Sequence, residues 1–151
     1  MSLLALVCLG GLAVDPRMLG GESIWIKPLK FCISGALYVL ALAVLMRPLR
    51  GRRMGRVIGW GVGVILLAET VLIGIQAARG VRSHFNLSTG FDTLIYSTMG
   101  QMIAALSVLT LVAAIAILRT PAADRLWKQA TLWGLLLTLA GGSVGFLMTM
   151  P

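Results

Sequence analysis

The chain has 151 residues, 58% of them hydrophobic and only 12% charged, with a mean hydropathy of +0.95. A water-soluble domain of this size exposes far more charge, so the surplus apolar surface is expected to face the lipid bilayer, making this an integral membrane protein. The formal charge of +8 does not read as a nucleic-acid surface, because most of the basic residues sit in short turns between apolar runs, where they set membrane topology.

Five apolar segments predict one domain, an all-α, polytopic transmembrane helical bundle of four full spans plus a short N-terminal span. The first, about 1–14, is shorter than the roughly 20 residues that cross a hydrocarbon core. It lacks the basic leader and small-residue cleavage site of a signal peptide and reads as a short helix. The second, about 24–46, holds Pro28 in its first turns, where a missing N–H does least harm. The third covers about 57–78. The fourth, about 93–118, follows the turn-forming "NLSTGFD", and the fifth covers about 130–150. Cys8 and Cys32 lie inside apolar runs and read as small hydrophobes without assigned chemistry. The sequon at Asn86 is a tripeptide common by chance.

The turn "RPLRGRRMGR" holds Arg47, Arg50, Arg52, Arg53 and Arg56 without an acid, and "RTPAADRLWK" adds Arg119, Arg125 and Lys128 against Asp124. If the segments alternate, both turns lie on one side, which the positive-inside rule makes cytoplasmic. The amino terminus is then inside, the carboxyl terminus outside, and the membrane a bacterial inner membrane. Trp25, Trp60, Trp127 and Trp133 fall near span ends, as interfacial anchors do. Small residues at Gly59/Gly63 and at Gly134, Gly141 and Gly145 give close-packing faces, read first as internal packing and second as a homo-oligomer seam.

Polar residues inside the spans point to a site. Lys27, Lys30, Ser34 and Tyr38 fall within an arc of roughly 80° at about 100° per residue. Glu69 and Gln76 share one face of the third segment, with Glu69 about 14 Å from its outer end and Gln101 of the fourth segment about 12 Å from its own, at a rise of about 1.5 Å per residue. An ionised carboxylate near the midplane costs several kcal/mol and needs a partner. Lys30 or Lys27 is the expected one, with Gln101 as a hydrogen-bonding neighbour. The loop after the third segment, "QAARGVRSHFN", adds Gln76, Arg79, His84 and Asn86 at the rim, along with Arg82 and Ser83. His84 is the chain's one histidine. Zinc needs three or four protein ligands and finds none beside it, whereas a haem could combine it with methionine.

"WIKPLKFCIS", "ETVLIGIQAARGVRSHFN" and the closing "GFLMT" resemble an uncharacterised family of bacterial multi-pass membrane proteins. Its members carry a tryptophan followed by "KPLKF" and a "QAARG..SHFN" loop. The resemblance covers most of the chain, implies a membrane fold and implies no known reaction. Members continue with further spans and more histidines, so the chain resembles the family's amino-terminal part, and a two-histidine cofactor site would need a ligand from a second chain.

No phosphate-binding loop, nucleophile elbow, zinc-protease motif or acidic dyad occurs. Hydrolytic or phosphoryl-transfer chemistry therefore has little to work with. The expected function is binding of a small molecule or membrane-protein partner in an outward-opening polar site. The alternatives are a b-type haem or quinone redox protein, a proton-coupled transporter using Glu69, and a scaffold subunit of a membrane complex.

Overall fold

The computed structural model describes residues 1–121 and 123–147. Helix α1 covers Ser2–Val14 and is followed by a hairpin of β1, Met18–Leu19, and β2, Glu22–Ser23. Helix α2 covers Ile26–Leu45, and a 3-10 turn at Arg47–Leu49 leads to α3, Arg53–Ala78. Helices α4, Gly90–Leu118, and α5, Arg125–Leu147, complete the chain. Three helices, α2, α3 and α4, are long and apolar enough to cross a membrane. With 13 residues, α1 is about 20 Å long, short of a hydrocarbon core of about 30 Å. The expected fifth segment coincides with α5 as far as Leu147, while residues 148–150 lie outside the described residues.

Helices α3, α4 and α5 begin at Arg53, Gly90 and Arg125, each a few residues before the apolar run. Hydropathy marks only the oil-soluble part of a helix, and arginine is itself a good helix former that prolongs it into the turns. The hairpin carries no hydropathy signal, but its turn residues mark it. In "LGGE", Gly20 and Gly21 have φ of 63° and 87°, so both central positions of the two-residue turn are left-handed, as type I′ hairpins require. The pairing is antiparallel, Met18 with Ser23 and Leu19 with Glu22.

The end of α3 is set by Gly80, at φ 70°. The Gly80 N–H donates to the Ala77 carbonyl at 2.8 Å and the Val81 N–H to the Gln76 carbonyl at 3.1 Å, the double bond of a Schellman cap. At the start of α4, Thr89 Oγ1 accepts from the Asp92 N–H at 3.1 Å while donating to Asp92 Oδ2 at 2.7 Å, satisfying one of the helix's otherwise unpaired N–H groups.

The core lies in two parts. At one end Leu42, Leu49, Ile58, Val62, Ala113 and Ile117 pack together with Ala123, bringing the α2–α3 and α4–α5 turns side by side. Arg52 Nη1 reaches Thr120 Oγ1 at 3.4 Å there. At the hairpin end Ile73, Ile95 and Met99 pack with Phe31 and Leu72.

The tryptophans divide. Trp60 and Trp133 are largely exposed, whereas Trp25 Nε1 donates to Asp15 at 2.9 Å and Trp127 Nε1 to the Leu45 carbonyl at 2.8 Å. The small-residue faces do not close the bundle as expected. A Cβ added at Gly59, Gly63, Gly134 or Gly141 would meet no atom of a neighbouring helix within 4 Å, so none of the four is a point of close helix approach. The surroundings of Gly145 lie outside the described residues.

Candidate functional site

The expected polar stripe of α2 is divided among four separate partners. Lys30 Nζ bridges Glu22 Oε2 on the hairpin at 3.4 Å, with both side chains exposed. Ser34 is exposed and turns its hydroxyl to its own helix, donating to the Phe31 carbonyl at 3.3 Å. Tyr38 bonds Thr110 on α4. Lys27 reaches the loop after α3, with Nζ 3.3 Å from His84 Nδ1.

The expected Lys30–Glu69 or Lys27–Glu69 pair therefore does not form. Glu69 is 2% exposed, and its Oε1 is buried without a hydrogen-bond partner. Among the described residues its carboxylate has no salt bridge. Both amines are captured nearer the helix end, by Glu22 on the hairpin and His84 on the loop. Gln101 is exposed on α4 instead of enclosed beside Glu69.

Gln76, Arg79 and Asp92 form a second polar cluster. Gln76, fully buried, donates from Nε2 to Asp92 Oδ1 at 2.9 Å. Arg79 Nη1 donates to the same oxygen at 2.6 Å and to Gln76 Oε1, and its guanidinium lies 4.8 Å from the Phe91 ring centroid. These residues join the end of α3 to the start of α4, so Gln76 and Arg79 hold the loop in place and do not line the cavity described below. Asp92 is not among the expected site residues, although the spacing Thr89-x-x-Asp92 is a capping signal. Asn86 is also structural: Nδ2 donates to the Arg82 carbonyl at 3.2 Å, and Oδ1 accepts from the Ser88 N–H at 3.1 Å. This is an Asx turn.

Within this frame is a cavity of about 460 Å³, lined on the hairpin side by Glu22 and Ile24, on α2 by Lys27 and Phe31, on α3 by Ile73 and on the loop by Arg82, Ser83, His84 and Phe85. Its polar groups come from the hairpin, α2 and the loop. An ammonium can only donate, so His84 accepts at Nδ1 from Lys27, and from Ser83 Oγ at 3.1 Å, which leaves the ring proton on Nε2. Burial and the charge of Lys27 push the His84 pKa down to about 4, keeping the imidazole neutral. Phe31, Phe85 and Tyr96 surround it, with ring centroids 6.1 to 6.4 Å away. The walls are otherwise apolar.

Glu69 is not part of this lining. It lies one turn below Ile73 on the same face of α3, deeper in the bundle. Two of the nine expected site residues, Lys27 and His84, thus meet at one cavity, while Lys30 pairs at its rim with Glu22, itself a lining residue. Arg82 and Phe85 join them, and the signal for both was their position flanking His84 in a short loop. At the hairpin's base, hydrogen bonds from Arg17 and Trp25 hold the Asp15 carboxyl well below the usual range. Arg17 Nη1 also donates to the Ala78 carbonyl at 3.0 Å, tying the hairpin to the end of α3. No family model, no curated protein and no solved structure matches the chain.

Proposed function

We propose that the chain is a multi-pass protein of a bacterial inner membrane whose outward end binds a small amphiphilic molecule. In this reading α2 to α5 cross the bilayer, α1 enters it partway, and the two basic turns lie in the cytoplasm. Their meeting at one end, through Arg52 and Thr120, supports that orientation under the positive-inside rule.

The observation that carries the binding function is the cavity between the hairpin, α2, α3 and the 81–85 loop. Its combination of mainly apolar walls and a few converging polar groups is the usual form of a small-molecule site, and its place at a span end suits a ligand with one wet and one oily part.

The test is extraction and mass spectrometry of protein purified in a mild neutral detergent. A single amphiphile should accompany the wild-type chain in near-equal amount. It should be lost from Ala77→Phe, which projects a ring into the cavity, while the circular dichroism spectrum is kept. A wild-type protein that carries nothing, or an Ala77→Phe variant that carries as much, refutes the reading.

A further inference from the structure

The chain has five acidic side chains, and all five lie among the described residues. Asp15 is held by Arg17 at 2.7 Å, Glu22 by Lys30 at 3.4 Å and Asp92 by Arg79 at 2.6 Å. Asp124 lies at the opposite end, where Oδ1 accepts from the Trp127 N–H at 2.7 Å. Glu69 is sealed below Ile73, out of the cavity lining. Each acid at the hairpin end thus has its own cation. Among the described residues, two cations there, Lys27 and Arg82, have no carboxylate partner, and both line the cavity. His84 cannot compensate them, since it contributes a neutral ring.

We propose that the ligand's head is an anion, a phosphate or carboxylate held between Lys27 and Arg82 with the His84 Nε2–H as a third donor, and that its hydrocarbon part lies against Ile24, Phe31, Ile73 and Phe85. This rests on the binding function proposed above and adds the sign of the charge. An excess of two cations matches one phosphate or carboxylate group, since charge-assisted hydrogen bonds from lysine and arginine to such oxygens are the strong ones. A neutral head would offer neither cation a counter-charge.

The experiment measures binding of three probes to the full chain in neutral detergent: dihexanoyl phosphatidic acid, dihexanoyl phosphatidylcholine and inorganic phosphate. Phosphatidic acid should bind at least tenfold tighter than phosphatidylcholine, and inorganic phosphate should bind far more weakly than either. Lys27→Met and Arg82→Met should each weaken phosphatidic acid about fivefold, the value of roughly one cation near a membrane surface. Phosphatidylcholine, whose phosphate already carries its own choline cation, should be weakened less than twofold by either. Lys27→Arg, which keeps the charge, should retain binding and guards against a folding defect in Lys27→Met. Equal affinity for the anionic and the zwitterionic lipid overturns the anionic head but leaves the binding function standing. Inorganic phosphate as tight as phosphatidic acid overturns the amphiphile and assigns a soluble anion. If no probe binds, both proposals fall.

Discussion

Replacing Asp92 by alanine tests whether the junction of α3 and α4 is held electrostatically. The carboxylate is 3% exposed and accepts from Gln76, Arg79 and Thr89. Removing one partner from a buried ion pair costs about 3–5 kcal/mol. The Arg79 side chain is 36% exposed, so water can re-solvate its guanidinium and the loss should fall at the lower end of that range. Gln76 has no such relief: an amide left buried without its acceptor costs about 1–3 kcal/mol. If each contact were worth only the bilayer average of about 0.6 kcal/mol, the total would stay below about 2 kcal/mol. Because the cluster is buried and charged, Asp92→Ala should lose about 3 kcal/mol in reversible unfolding in bicelles. Combining it with Gln76→Leu should cost less than the two separate losses together, by at least about 1 kcal/mol. A loss under about 1 kcal/mol, or strict additivity, refutes the clamp.

Two further outcomes follow from the buried ionisable groups. His84 has a folded pKa of about 4 against an unfolded value near 6.5, so its contribution is complete above about pH 6.5 and is lost as pH falls towards 4, where the unfolded state binds the extra proton first. At about 1.4 kcal/mol per unit the loss is at most about 3 kcal/mol. His84→Gln should flatten that slope; a slope unchanged in the variant contradicts the assignment. Glu69→Met, which removes the unpartnered Oε1 at similar volume, should raise stability by about 1–3 kcal/mol, and a destabilised variant would show that Glu69 has a partner after all.

Much of the architecture was legible because its signals are local. "ARG" ends α3 where a left-handed residue is needed, "LGGE" is a hairpin turn, and Thr89-x-x-Asp92 starts α4; the last two are turn and capping chemistry that hydropathy does not register. The site was only half legible, for a different reason. A helical wheel says which residues share a face of one helix, but not which neighbour that face meets. Lys30 and Glu69 are correctly placed on their own helices. Nothing in their spacing shows that the hairpin brings Glu22 back over Lys30, or that the loop lays His84 beside Lys27. Gln101 fails in the same way, since its depth follows from counting residues whereas its outward rotation follows from how α4 packs on α3.

The 81–85 loop gives the strongest reason to regard the cavity as more than a packing gap. Phe85 has φ 56°, a conformation that costs a bulky residue about 1–3 kcal/mol. Glycine or asparagine would follow the same path with less strain. The loop tolerates phenylalanine because both sides are pinned, by the Schellman cap and the Arg79–Asp92 clamp before it and by the Asn86 turn after it. What the strain secures is visible in where the ring lies, 5.3 Å from Tyr96 and along the cavity lining. A mere connector between two helices would need neither the ring nor the strain. The pinning residues therefore act on the site indirectly: they hold a wall that the loop would not otherwise keep.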